Sequence, residues 1–318
     1  MTRLRSRSTN YGCSMPTDWT TADLPELAGR TVIVTGGNSG IGFEAARALA
    51  GRGARVVLAV RDPKRGSDAA GAIAGSVEVR RLDLAELASV REFAEAWSGD
   101  IHALINNAGI MAPPLSRTVD GFESQFGTNH LGHFALTNLL LPHITGRVVT
   151  VASLAHRGGK IDNVDPNWNT RTYRRWEAYG QSKLANLLFT LELQRRLGED
   201  GSPVIATAAH PGWAATNLQK SENRVGAAIV KLGNRLLSQD AAGGALPTLF
   251  AATADIPDGS YVGPAGRGEL KGAPVLVKRS AAASNPVVAK RLWSLSEELT
   301  QVTYPERSGR RATSTDQP

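Results

Sequence analysis

One cysteine, Cys13, is all that the 318 residues contain. An intrachain disulfide and any cysteine-based zinc cluster are therefore excluded. The histidines are few, at positions 102, 130, 133, 143, 156 and 210. Only His130 and His133 can share a helix face, and no carboxylate stands beside them at a ligand spacing, so no metal site is expected. Nor does any segment approach the ~18 consecutive apolar residues that a membrane-spanning helix requires. Aromatic residues are sparse at 6%, yet hydrophobic residues reach 42% and charged ones 20%. That balance belongs to an ordinary globular chain, and one of this length buries well over half of its unfolded surface without staples.

The formal net charge of +7 invites a nucleic-acid reading, but the charge is concentrated at the ends. Residues 1–14 carry +3 through Arg3, Arg5 and Arg7, and residues 305–318 carry +1, which leaves +3 on the long stretch between. No RNP, helix-turn-helix or zinc-finger pattern organises that remainder, so dedicated nucleic-acid binding is not expected. The early arginines imitate the start of a signal peptide, but Ser8 to Gly29 is polar. The expectation is a cytoplasmic protein with Met15 as an alternative start. Its expected parts are a disordered basic tail and lead-in over 1–24, one domain over 25–303 and a disordered tail over 304–318.

From about Arg30 onward, short β-branched runs alternate with longer helical patterns, the signature of βαβ units. Strands are expected at 31–35, 55–60, 77–82, 101–105, 147–152, 203–208 and 260–262. Helices are expected over Gly42 to Gly51, Leu87 to Trp97, Phe122 to His143 and Tyr179 to Leu197. The strands are nearly all apolar, as strands covered on both faces should be. The fold predicted is a single α/β domain, a doubly wound parallel sheet of about seven strands with helices on both faces. Residues 156–178 form a long polar insertion, and 212–245 and 263–290 are irregular stretches after later strands. Because ligands sit outside the carboxyl ends of such strands, 156–178 and 212–245 are candidate substrate-binding elements.

The first strand runs into Gly36-Gly37-Asn38-Ser39-Gly40-Ile41-Gly42 and then a helix. Glycines permit close backbone approach, while free N–H groups and the helix dipole face an anion, which makes this a phosphate cradle. A residue reading the ribose is expected at the end of the second strand, where the sequence has Arg61-Asp62. Arg61 there favours a 2′-phosphate and hence NADP(H) over NAD(H); if Arg61 is only a solvated charge, Asp62 takes the ribose and the cofactor is NAD. Asp83 closes the third strand, either capping an adenine edge or serving as the N-cap of the next helix. Asn106-Asn107-Ala108-Gly109 ends the fourth strand, either tying strands together or touching the cofactor.

Tyr179 and Lys183 stand four apart, on one face of a helix. A cation beside a phenol lowers the phenol's pKa, which suits acid–base work on an alcohol or ketone. Ser153, at the end of the fifth strand, is placed to donate to a substrate oxygen, and Asn129 lies in the preceding helix. Met111, Trp168, Trp176, Trp213 and Leu218 are candidate apolar lining.

In this order the motifs resemble the short-chain dehydrogenase/reductase superfamily, over roughly residues 25–265 and ending with Pro211-Gly212. Leu58-Ala-Val-Arg-Asp62, Asn129-His-Leu-Gly-His-Phe134, Ser182-Lys-Leu-Ala-Asn186 and Arg291 to Glu298 are similar to its retinol dehydrogenase and protochlorophyllide reductase-like branch. The resemblance implies a Rossmann-like fold with Tyr179 as general acid or base, Lys183 on the nicotinamide ribose, Ser153 on the carbonyl and Asn129 holding a relay water. It also implies that Gly36, Asn38, Ser39, Gly40, Ile41, Gly42, Arg61, Asp83, Leu84, Asn106, Ala108 and Gly109 line the cofactor, with Pro211, Gly212 and Thr216 bordering the nicotinamide. The 26-residue separation of Ser153 and Tyr179 matches an insertion familiar in that branch. A polar basic segment where membrane-bound retinol dehydrogenases carry an apolar anchor weighs against retinol as substrate. The lone Cys13 weighs against protochlorophyllide reduction. The function expected is hydride transfer between NADP(H) and a hydrophobic ketone, aldehyde or alcohol, with a homodimer possible; the alternative is a catalytically idle dinucleotide-binding redox sensor or scaffold.

Overall fold

The computed structural model describes residues 18–212 and 240–305. The expectations placed on Cys13, Met15, Trp213, Thr216 and Leu218 lie outside these residues. Among the described residues eight strands form one sheet: β1 Thr31–Thr35, β2 Arg55–Val60, β3 Val77–Arg81, β4 Ile101–Asn106, β5 Ile144–Val151, β6 Ile205–Ala209, β7 Tyr261–Pro264 and β8 Pro274–Leu276. Their order is β3-β2-β1-β4-β5-β6-β7-β8. All neighbouring pairs are parallel except the last, in which β8 runs antiparallel to β7. The reversal of strand order falls between β1 and β4, where this class of sheet opens a ligand crevice.

Among the described residues seven helices complete the layers: α1 Gly40–Ala50, α2 Pro63–Gly71, α3 Leu87–Glu95, α4 over 124–140, α5 Arg175–Glu199, α6 Ala241–Thr253 and α7 Pro286–Thr300. α4 is composite, with a π-helical turn, Gly127–Leu131, set between two α-helical pieces. The apolar strand runs are explained by burial on both faces. Val32, Val34, Val56 and Leu58 pack with Leu49, Leu249 and Phe250 on one side, and Ile33 and Val57 pack with Phe93, Phe134, Phe189 and Trp293 on the other. The lead-in joins the first of these layers, with Trp19 edge-on to Phe250 at 5.3 Å between ring centres.

Three helices and one strand were not foreseen. α2 buries only Gly66 and Ala69, too few apolar residues to register as a periodic face. α6 carries two glycines and Pro247, residues that usually break a helix, and β8 is three residues long. α7 closes the core over α5: Trp293 stacks on Phe189 at 5.7 Å, meets Phe134 edge-on at 4.9 Å and donates its indole N–H to Glu297 Oε1 at 2.8 Å. Among the described residues no helix is long and apolar enough to cross a membrane.

Replacing Trp293 by alanine would leave a cavity against two phenylalanine rings and is expected to cost about 3–5 kcal/mol in urea unfolding; a loss below ~1 kcal/mol would show that α7 is not part of the cooperative core.

Candidate active site

Parallel pairing brings the carboxyl ends of β1, β4, β5 and β6 to one edge of the sheet. The segments following them hold the predicted residues: the glycine turn after β1, Asn107–Gly109 after β4, Ser153 after β5 and Pro211–Gly212 after β6. α5 supplies Tyr179 and Lys183, 8% and 4% exposed. The lysine Nζ lies 5.9 Å from the phenol ring centre and donates to the Val151 carbonyl at 3.0 Å. Asn186 Nδ2 reaches the same carbonyl at 3.1 Å. Ser153 hydrogen-bonds the phenol, and its Oγ also accepts from Ala155 N at 3.2 Å as cap of a short 3-10 turn.

The electrostatics differ from the sequence expectation. Burial pushes the Tyr179 phenol up, against the opposing hydrogen bond from Ser153. Burial also pulls the Lys183 ammonium down to about 8. Lys183 does not lower its neighbour here, because both groups sit in a medium that penalises charge and the ammonium is directed at a carbonyl. The phenol is held protonated near neutral pH.

Asn129 lies in the π turn of α4, fully buried. Its Oδ1 accepts from Ile110 N at 2.8 Å, and its Nδ2 donates to Ile110 O at 3.0 Å and Ser182 Oγ at 2.9 Å. Its main-chain carbonyl takes His133 Nδ1 at 3.0 Å. A carbonyl only accepts, so Nδ1 carries the hydrogen and Nε2 must accept. The partner at Nε2 is Thr35 Oγ1, 2.9 Å away, which itself accepts the N–H groups of Asn107 and Ala108 at 2.9 Å each. One chain of hydrogen bonds thus joins the glycine strand, the 107–109 loop and the π turn. Burial holds His133 down to about 4, so the ring stays neutral and this polarity is fixed. Thr35 and His133 were missed as functional residues, although His133 sits one helical turn after Asn129 and so had a readable partner.

The glycine turn is tight at two places. Gly36 and Gly40 have φ of 65° and 57°, in the left-handed region that favours glycine. A Cβ on Gly42 would come within 2.4 Å of Asn107 Nδ2, the amide that donates to Thr35 O at 2.8 Å. Ser39 stands at the N-cap of α1 without a side-chain cap bond. Asn38, Ser39 and Gly40 face a groove of about 420 Å³ shared with Phe43, Arg65 and Asp68. Arg61 is exposed at the end of β2, and among the described residues its guanidinium has no partner. Asp62 caps α2 instead, accepting from Lys64 N at 3.0 Å and Arg65 N at 3.2 Å.

Asp83 is not the N-cap of α3, a position held by Glu86; its Oδ1 closes a turn by accepting from Ala85 N at 3.0 Å. Leu84 is buried beneath Gly132. Asn106 donates to Thr137 Oγ1 at 2.9 Å, and its Oδ1 is buried without a partner. Ile41 opens α1, Ala108 abuts Gly36, and a Cβ on Gly109 would meet Asn129 Oδ1 at 3.1 Å and Lys183 Nζ at 3.5 Å.

The insertion over 156–178 is tied down. Against the desolvation that raises it, Asp165 is brought to about 2 by hydrogen bonds from Asn169 N, Thr170 N, Thr170 Oγ1 and Arg171 N. Arg171 lies 3.5 Å over the Trp168 ring and donates to Gln181 Oε1 at 2.7 Å. Gln125 joins three pieces, accepting from Ala112 N and donating to Tyr173 Oη and Arg175 O. Of the expected apolar lining, Trp176 is exposed and edge-on to Tyr179 at 6.2 Å, and Met111 is half-buried. Trp168 is buried as packing. A larger groove between α5 and α7, lined by Glu192, Arg195 and Val287, begins more than three turns along α5 from Tyr179 and is not the site.

The signature of the short chain dehydrogenase family matches residues 30–225. The chain is 50% identical to retinol dehydrogenase 13 of Homo sapiens over 204 residues, 60% of this chain and 61% of that protein. It is 41% identical to retinol dehydrogenase 12 of Homo sapiens over 297 residues, 88% of this chain and 89% of that protein. A crystal structure of an uncharacterized protein from Mycobacterium paratuberculosis superposes with a TM-score of 0.81 at 54% identity, covering 91% of this chain and all of that one.

The native state holds the Lys183 proton less tightly than the unfolded chain, whose lysine has its ordinary value of 10.5. Burial of the cation therefore costs stability below about pH 8, and the cost fades as pH rises toward 10.5. Lys183→Met is expected to match or exceed wild-type stability at pH 7 in urea melts, with the difference shifting in favour of wild type between pH 8 and 10; a Lys183→Met protein destabilised by more than ~2 kcal/mol at pH 7 would contradict it.

Proposed function

The chain belongs to the short chain dehydrogenase family, in its retinol dehydrogenase-like branch, and from this premise we propose that it is an NADP(H)-dependent reductase of hydrophobic ketones or aldehydes that works through Tyr179. It is an oxidoreductase of CH–OH donors with an NAD(P) cofactor; the preference for NADP(H), the substrate class and the residue roles are our reading. The observation that carries it is the pairing of a buried, protonated phenol with the Ser153 hydroxyl, one helical turn from a buried lysine.

The residues fit a dinucleotide. The N–H groups opening α1 lack a side-chain cap, and the buried Asn106 Oδ1 lacks a partner at the end of β4. Arg65 lines the groove beside the glycine turn and Arg61 is exposed at the end of β2, both with unpartnered guanidinium groups among the described residues, which supports a 2′-phosphate there. The Asp62 carboxylate is committed to its cap, which supports Arg61 over Asp62 as the ribose-reading residue. Gly36, Asn38, Ser39, Gly40, Ile41, Gly42, Asp83, Leu84, Asn106, Ala108, Gly109, Pro211 and Gly212 would complete the cofactor site. When bound, the reduced nicotinamide supplies the hydride.

The chain's own part is to place the carbonyl and the proton. Ser153 Oγ donates to the substrate oxygen and gathers charge developing there. Tyr179 Oη gives that oxygen its proton, and the high proton affinity of the buried phenol ensures that the proton is present at neutral pH. Lys183 Nζ, freed from the Val151 carbonyl, would hold the nicotinamide ribose and support the phenolate left behind. Asn129 fixes Ile110 at the wall of the site. Trp176, exposed and edge-on to Tyr179, gives the surface beside the phenol an apolar character, which supports a hydrophobic substrate.

Two measurements test this reading together. Fluorescence titration should show NADPH binding at least ~10-fold more tightly than NADH, with the preference collapsing in Arg61→Ala. Turnover on a panel of hydrophobic ketones and aldehydes should fall by on the order of 10²–10⁴ in Tyr179→Phe, which keeps the ring and removes only the proton donor. An NADH preference would overturn Arg61, and Tyr179→Phe with wild-type kcat would overturn the mechanism.

A further inference from the structure

Two elements of the site, the Ser153 turn and the Pro211–Gly212 turn, leave adjacent strands and are linked by a set of polar contacts that the mechanism does not use. His156 Nδ1 lies 2.7 Å from the Ser153 carbonyl and must donate to it. The next residue, Arg157, pairs with Glu269 Oε1 at 2.7 Å. The other oxygen, Oε2, is 3.1 Å from His210 Nε2. His210 Nδ1 in turn accepts from Gly212 N at 3.2 Å. A ring nitrogen that accepts from an N–H carries no hydrogen, so His210 is protonated on Nε2 and donates to Glu269. Every step is therefore directed toward Glu269, which accepts from His210, itself accepting from Gly212, on one side and from Arg157, four residues after Ser153, on the other.

The surroundings allow this set little slack. His210 is fully buried, and burial holds it down to about 4, so the ring is neutral and does not exchange tautomers through a charged form. The Tyr261 ring lies between the two histidines, 5.2 Å from His210 and 5.7 Å from His156. A Cβ on Gly263 would fall 2.1 Å from His210 Nε2, and one on Gly212 would fall 2.3 Å from Leu270 O. Glu269 itself has φ of 58°, a left-handed conformation that a side-chain-bearing residue adopts only when its contacts impose it. The backbone strain and the two-sided carboxylate pairing coincide at one residue.

We infer that Glu269 is a positioning residue that fixes the separation between the Ser153 turn and the Pro211–Gly212 turn, and so the alignment of carbonyl and nicotinamide. This rests on the proposed function above, in which Ser153 holds the carbonyl and Pro211–Gly212 border the nicotinamide. Nothing in the short motifs pointed to Glu269, which lies in the connection between β7 and β8, 112 residues beyond Arg157.

The test compares Glu269→Ala, Glu269→Gln and Arg157→Ala by two readouts. In protein labelled with ¹⁵N-histidine, His210 should show an Nε2–H tautomer in wild type and in Glu269→Gln, whose amide oxygen still accepts, and lose that signature in Glu269→Ala, where the Pro211–Gly212 turn is released and the Gly212 N–H no longer holds Nδ1. In steady state with NADPH, Glu269→Ala should lose about tenfold or more in kcat, while KM for NADPH and affinity for 2′,5′-ADP stay within about twofold. Arg157→Ala should lower kcat with the His210 tautomer intact. Glu269→Ala with an unchanged His210 signature, or with kcat within about twofold of wild type, would overturn the inference, as would parallel loss of kcat and 2′,5′-ADP affinity, which marks a merely structural role. Should Glu269→Ala not fold, Arg157→Ala decides by the same kcat and 2′,5′-ADP criteria. A wild-type protein that turns over no carbonyl defeats the proposed function instead, and the histidine spectra alone then decide this inference.

Discussion

The site depends on a lysine ammonium held in the protein interior by one carbonyl. Lys183 Nζ donates to Val151 O at the end of β5, and Asn186 Nδ2 shares that oxygen. Burying a cation this way costs stability, and the cost is accepted only where the surrounding elements are fixed by other means. α5 is such an element. Its 25 residues are buried along much of their length and are covered by α7 through the Trp293, Phe189 and Phe134 ring cluster. A helix so firmly placed presents Tyr179 and Lys183 to the end of β5 within a dry volume, and dryness sets the phenol's proton affinity.

The second constraint is that the proposed cofactor half and the proposed chemical half of the site come from different strands and must share one frame. Thr35 provides it by accepting the Asn107 and Ala108 N–H groups while donating to His133, which in turn donates to the Asn129 carbonyl. Because His133 is buried and neutral, the direction of this chain does not change with pH near neutrality. The insertion that separates Ser153 from Tyr179 is likewise pinned, through Asp165, Arg171 and Gln181 on one side and Gln125 and Tyr173 on the other. The extra length between serine and tyrosine is thus held in packed structure.

Much of this was legible in the sequence because it is written in local patterns. Two-faced apolar strands, the glycine turn and the four-residue step from Tyr179 to Lys183 are each set by a few neighbouring residues, and all appear where expected. What was not legible depends on partners far apart in the chain. The direction of the Tyr179 shift follows from burial on all sides, which a helical spacing does not report. Asp83 reads from its position as an adenine contact or a helix cap, but one more turn follows it before α3 begins and Glu86 takes the cap. Trp168 reads as a lining residue from its type, and Arg171 turns it into packing. α6, with its internal glycines and Pro247, is helical because β5, β6 and β7 give it an apolar surface to cover.

The account stands on burial, more than the neighbouring cation, setting the phenol's ionisation in the cofactor-free protein. The direct measurement is a pH titration of protein labelled with ¹³C at the tyrosine ζ carbon, with the Tyr179 resonance assigned by its loss in Tyr179→Phe. The account predicts that this resonance titrates with a midpoint above 10, the ordinary value for a tyrosine. A resonance that titrates near neutrality would contradict it and show that Lys183 governs the phenol before any cofactor arrives.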